Sequence, residues 1–153
     1  MKRLLLVAFL VSVAAVSAAN SAVRSKEIGL GIVLGEPSGL DGQFFMTKNS
    51  ILDFTAAWSF EHSGGLFVAG DYQIYNNLAD APREWSWYYG IGGYLAFPED
   101  RDGILGARVP LGIAYAFPNS SIDMWVEIDP ALQLIPDTEA DLMGGIGVTF
   151  WIK

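Results

Sequence analysis

An alternation of period two, repeated in segment after segment, limits what this chain can become more than any other feature. In 51–60, Leu52, Phe54, Ala56, Trp58 and Phe60 oppose Asp53, Thr55, Ala57 and Ser59. In 121–134, Ile122, Met124, Val126, Ile128, Leu132 and Leu134 oppose Asp123, Trp125, Glu127, Asp129 and Gln133. Successive side chains of a strand point to opposite faces, so each such segment reads as a strand with one greasy face. No segment shows helical spacing over three turns. Turn signals ("GEPSG", "TKNS", "EHSGG", "NNLADAPRE", "PEDRDG", "PNSS" and "PDTEAD") cut the chain into eight segments, about 28–35, 39–46, 51–60, 65–76, 84–97, 103–117, 121–134 and 141–152.

Connections this short join antiparallel neighbours, because a parallel pair needs a crossover of a dozen or more residues. An even number of consecutive hairpins closes naturally into an up-and-down barrel. The last segment asks for that closure: "GGIGVTFWIK" sets Ile146, Val148, Phe150 and Ile152 against Gly145, Gly147, Thr149 and Trp151 almost to the final residue. Pairing it with "IGLGIVLG" leaves no free edge. The expected fold is all-β, an eight-stranded antiparallel up-and-down β-barrel after a cleaved N-terminal signal peptide.

The signal peptide is read from Lys2 and Arg3, the apolar run from Leu4 to Val16, and the small residues that follow. That run is too short to span a bilayer as a helix. Residues 1–19 are assigned to the signal and 20–153 to a single barrel domain. Without Lys2 and Arg3 the nine basic residues become seven against 17 acidic ones, a formal charge of −10. A chain so acidic carries no electrostatic footprint for nucleic acid. It has no cysteine, which excludes a lipid-anchored lipoprotein and leaves stability to strand ladders and packing.

Three features set the direction of the apolar face. The polar face carries no lysine in any strand and many small residues (Ala57, Gly90, Gly92, Gly112, Gly145, Gly147), as a narrow lumen requires. Bulky aromatics of the apolar face gather near strand ends, as at Trp58 and Phe60, Trp85 and Trp87, Phe97, Tyr115 and Phe117, and Phe150, where interfacial girdles lie. The later segments are long enough to cross a bilayer at a tilt. The apolar face is therefore expected against membrane lipid.

The last strand carries a second signal: Gly147, Phe150 and Ile152 fit glycine, two residues, hydrophobic, one residue, hydrophobic. On that motif and the strand count, the chain resembles the small eight-stranded outer-membrane barrel proteins of bacteria. The resemblance implies an outer-membrane location, a monomer, and a final strand read by the barrel-assembly machinery. Two departures keep a competing expectation alive. The longest connection, "NNLADAPRE", follows an even strand, whereas long loops of that family follow odd ones, and the first two strands are short. The alternative is a soluble periplasmic barrel, lined by the apolar face and binding a hydrophobic ligand.

The inward parity places Asp53, Asp71, Asp123, Glu127 and Asp129 in the lumen with one base, Arg108. Buried charge must pair and hydrogen-bond, so these residues are expected to form a lumenal charge network, with Arg108 near Glu127 or Asp129 on the adjacent strand. Acid–base work on a glycoside would need a fixed carboxylate separation, which nothing in the sequence sets. His62, the single histidine, crowds a tight turn with Ser59, Glu61 and Ser63, a poor setting for a serine–histidine–acid relay. One histidine without cysteine supplies no zinc set, and "GLGIVLG" and "GIGG" lack the helix that a phosphate loop needs. No cofactor and no enzymatic activity are expected, only a structural or interaction role. Pro110 and Pro130, inside long segments, are expected to mark bulges or bends.

Overall fold

A computed structural model of the chain describes residues 28–59 and 64–152. The signal segment 1–19, Phe60 and His62 lie outside the described residues. Nine strands follow in chain order: β1 (Ile28–Glu36), β2 (Ser38–Phe45), β3 (Ser50–Ser59), β4 (Gly65–Asn77), β5 (Trp85–Pro98), β6 (Ile104–Arg108), β7 (Leu111–Ala116), β8 (Ile122–Ile135) and β9 (Glu139–Ile152). Each is antiparallel to its neighbours, and β1 pairs with both β2 and β9, which closes the sheet on itself. β6 and β7 both lie between β5 and β8, so they are two pieces of the sixth segment and the barrel has eight staves.

The break between β6 and β7 falls at Val109–Pro110, but neither proline shifts the register. Pro110 has no N–H to give, yet its carbonyl accepts from Gly90 N–H at 2.9 Å, and the Pro130 carbonyl accepts from Val109 N–H at 3.0 Å. Each proline thus costs one ladder bond and keeps the other. The register shift lies instead between Leu105 and Gly106, which pair with Ile135 and Gln133 and leave Leu134 as the extra residue of β8. The expectation of bulges at the prolines is corrected accordingly. The turn before β9 is also shorter than its sequence suggested, since the strand takes in Glu139 and Ala140.

The apolar parity faces outward all round the barrel. Leu30, Phe54, Ile91, Val126 and Ile146 stand exposed on the wall, Ile91 by 67% of its surface. The soluble alternative needed that face inside. The inward parity is filled by paired large and small residues: Tyr88 lies opposite Gly112, Tyr94 opposite Gly106, and Trp125 opposite Gly147. In each pair a Cβ on the glycine would run into the ring, so the glycine is the space into which the aromatic lies flat.

The staves are unequal. β1 and β2 are 9 and 8 residues long, whereas β5, β8 and β9 have 14 each. At the end where β1 begins and β9 finishes (the terminal end) the wall is complete, for β1 pairs with β9 from Ile28↔Ile152 and β8 with β9 from Ile122↔Phe150. At the opposite end the β1–β9 ladder stops at Glu36↔Gly144, while β9 continues beside β8 back to Glu139. The wall is therefore low above the β1–β2 turn, and the edge of β9 that faces away from β8 over 139–143 has no strand beside it among the described residues. Asp141 Oδ1 accepts from Leu142 N–H at 2.8 Å there, so an edge donor is covered by a local side chain.

Candidate functional site: a polar belt inside the barrel

The registers place one row of inward residues round the wall. Gln43 pairs with Asp53, Asp53 with Asp71, Asp71 with Gly92, and Gly92 with Arg108. Gly92 lies between the acid and the base, and a Cβ there would collide with the Asp71 carboxylate. Across that gap Arg108 reaches a residue two strands away. Its Nε donates to Asp71 Oδ1 at 3.0 Å and its Nη2 to Asp71 Oδ2, a two-pronged pair. Arg108 Nη1 stands 3.9 Å from Asp129 Oδ2, and its guanidinium lies 5.8 Å over the Phe67 ring.

The rest of the belt is held by neutral donors. Gln43 Nε2 donates to Asp53 Oδ2 at 3.1 Å, and Gln73 Nε2 to Glu127 Oε2 at 3.4 Å, with Tyr75 O–H donating to Gln73 Oε1. Trp125 Nε1 donates to Thr149 Oγ1 at 3.0 Å, and that hydroxyl donates on to Asp41 Oδ2. Asp41, Asp53, Asp71, Glu127, Asp129 and Arg108 are all at least nine-tenths buried. Beside Arg108, Glu127 and Asp129 lies a space of about 20 Å³, and Asp129 Oδ1 meets no protein hydrogen-bond partner. Such a volume is about that of one water.

Four of the expected lumenal acids, Asp53, Asp71, Glu127 and Asp129, are thus gathered with Arg108. The expected approach of Arg108 to an acid of the adjacent strand is met at Asp129, and the structure adds a closer, two-pronged partner, Asp71, two strands away, because Gly92 opens a path across β5. Asp123 stands apart: half-buried near the terminal end, it accepts from Trp151 Nε1 at 2.7 Å. Asp41 was missed, although Asp41, Gln43 and Phe45 alternate with Leu40, Gly42 and Phe44 and so share the inward parity. Gly147 lies under Trp125, while Phe150 and Ile152 point outward.

Packed side chains flank the belt on both sides. Toward the end where β1 begins, Tyr75 and Tyr88 stack with centroids 4.6 Å apart, in one cluster with Ile51, Trp125 and Trp151. Toward the other end, Phe67 and Tyr94 stack at 5.4 Å, together with Ile104, Ala131 and Met143. Among the described residues no three histidine, cysteine or carboxylate side chains are grouped to hold a metal ion.

No protein-family model matches the sequence, and no curated protein matches it. In structure the chain is similar to the crystallographic N-terminal β-barrel domain of Pseudomonas aeruginosa OprF, with a TM-score of 0.64 at 16% identity. The match covers 82% of this chain and 95% of that domain. At this identity the likeness is one of fold: both are β-barrels.

Proposed function

We propose that this chain is a monomeric, non-enzymatic β-barrel of the bacterial outer membrane, with a structural or interaction role and a lumen closed to flow by its polar belt. One observation carries the reading: the apolar parity of every stave faces out while the charged parity is packed inside. In water such a wall would expose a continuous greasy surface far larger than soluble monomers tolerate. In a bilayer it is the face that lipid requires. The barrel likeness to OprF supports the fold on which this reading rests.

The closed lumen follows from size. Eight staves leave an interior that side chains fill, and here Tyr88, Gln73 and Ile51 are each at most 2% exposed. Buried ion pairs and stacked rings hold such a plug in place, and no nucleophile–base pair stands among them. Residues 1–19 act as the cleaved export signal in this reading, and Gly147, Phe150 and Ile152 present the final strand to the barrel-assembly machinery.

Cell fractionation tests the proposal. Recovery in detergent-extracted outer membranes, with a gel band whose mobility changes on heating, is the expected result. Intact release by osmotic shock without detergent would overturn it. Mass spectrometry of the exported protein should find its N-terminus close to residue 19 or 20.

A further inference from the structure

The apolar band round the outer wall has one notch. On β5 the band runs from Trp85 to Phe97, and on β8 from Ile122 to Leu134. On β1 it runs only from Ile28 to Leu34, and on β2 from Leu40 to Phe44 with Met46 just beyond. At about 3.3 Å per residue and a tilt of about 40°, the short staves carry a band about 15 Å tall against about 30 Å on β5 and β8. The foot is level, since Ile28 pairs with Ile152, so the missing height is at the open end. There the hairpin closes on a polar tip, Glu36–Pro37–Ser38, whose Ser38 hydroxyl accepts from Gly35 N–H at 2.9 Å and donates to the Gly35 carbonyl at 2.8 Å. On either side the band climbs again, to Trp58 on β3 and Leu142 on β9. Leu34, Leu40 and Leu142 border the step and are exposed by 67%, 65% and 67%, so no described side chain shelters it.

We propose that this notch is a lipid-thinning surface: beside β1 and β2 the headgroups of one leaflet descend about 10 Å to meet the hairpin tip. The inference rests on the outer-membrane reading and deepens it. A bilayer meets a short apolar wall by thinning, by snorkelling of long basic side chains, or by oligomerisation of the protein. β1 and β2 carry no lysine or arginine to snorkel. A two-fold dimer sets the same patch of each copy against the other, so low wall would meet low wall and the missing height would stay missing. Tilting the barrel does not level a step that has taller staves on both sides. A flat bilayer would hold the polar tip at hydrocarbon depth, where backbone and carboxylate lose their water. Thinning removes that cost, and the lipid that fits the notch best has short or disordered acyl chains.

Spin labelling of the full mature chain in dioleoylphosphatidylcholine vesicles tests it. The chain has no cysteine, so Leu34→Cys, Leu40→Cys and Ile91→Cys each take a single nitroxide on a lipid-facing position. The ladder row of Leu40 passes through Ala56 and Val68 to Leu95, and strand tilt brings its level counterpart on β5 down to Ile91, midway between Trp85 and Phe97. A flat bilayer would therefore give the labels at 40 and 91 one depth. The expected result, read from collisions with oxygen and with a nickel chelate, is that labels at 34 and 40 lie about 10 Å nearer the headgroups than the label at 91. Phe44→Cys and Trp87→Cys form a level pair at the foot and should stay at equal depth. Equal depths at 34, 40 and 91 would overturn the proposal, and so would a foot pair that separates, which means a tilted barrel. Labels at 34 and 40 shielded from both reagents would mean that protein covers the notch, whether residues 20–27, residues 60–63 or a second copy, and would also overturn it. A label at 91 exposed to water would instead sink the outer-membrane reading, a result distinct from all of these.

Discussion

The two ends of the barrel are built from the same alternation and come out differently. At the terminal end the ladders run to the strand ends, and Tyr75, Tyr88, Trp125 and Trp151 fill the interior. At the far end β1 and β2 stop early, Phe67 and Tyr94 leave a cavity beside them, and acids crowd the rim. The difference lies in strand length and in where small residues stand. Gly112 and Gly147 receive Tyr88 and Trp125 at the closed end, so large and small side chains interlock. Where the wall is low, no partner stave among the described residues supplies a filling side chain. The belt on Arg108 separates the two regimes.

Breaking the belt should have the largest effect. Arg108→Ala leaves Asp71 buried without its cation, which is expected to cost about 3–5 kcal/mol, read from urea-induced unfolding followed by tryptophan emission. A variant as stable as the parent would mean that Asp71 meets open water and that the ends are not sealed from each other.

The outer wall gives the next contrast. Val126→Arg, on an exposed outward position set well along β8, should cost about 2–4 kcal/mol in lipid, and Leu142→Arg near the open rim about 0–1 kcal/mol. Refolding into lipid vesicles at graded denaturant measures both. Equal costs at the two positions would contradict a difference in bilayer depth.

Interlocking at the closed end is sharpened by Gly147→Val, whose side chain must displace the Trp125 ring. Overpacking of this kind is expected to cost about 1–3 kcal/mol and to weaken the Trp125–Thr149 hydrogen bond, seen as a shifted indole N–H resonance. The smallest effect belongs to the open end. Ala96→Leu enters existing space and should change stability by no more than about 0.5 kcal/mol, a near-silence that the closed end would not allow.

Much of this architecture was legible beforehand, since alternation and turn punctuation are local properties. Leu52, Phe54 and Trp58 against Asp53, Thr55 and Ala57 declare two faces whatever lies beside them. The absence of lysine from the polar face, with glycines at 90, 92 and 112, marked it as the narrow interior, and Asp53, Asp71, Arg108, Glu127 and Asp129 followed by parity. Asp41 was equally legible in the alternation of β2.

What only the tertiary structure decided depends on register, which is a relation between strands. Arg108 meets Asp71 because Asp71, Gly92 and Arg108 fall in one row across three staves, and no segment read alone states that row. Pro110 and Pro130 look like register breaks in sequence, yet each keeps a carbonyl bond to its neighbour, and the slip occurs at Leu134 instead. Asp123 has the parity of the belt, but its height along the barrel brings it to Trp151. The low wall is likewise a sum over the ring: strand lengths are local, but where their ends stand relative to one another is set by the offsets of all eight staves closing on β1.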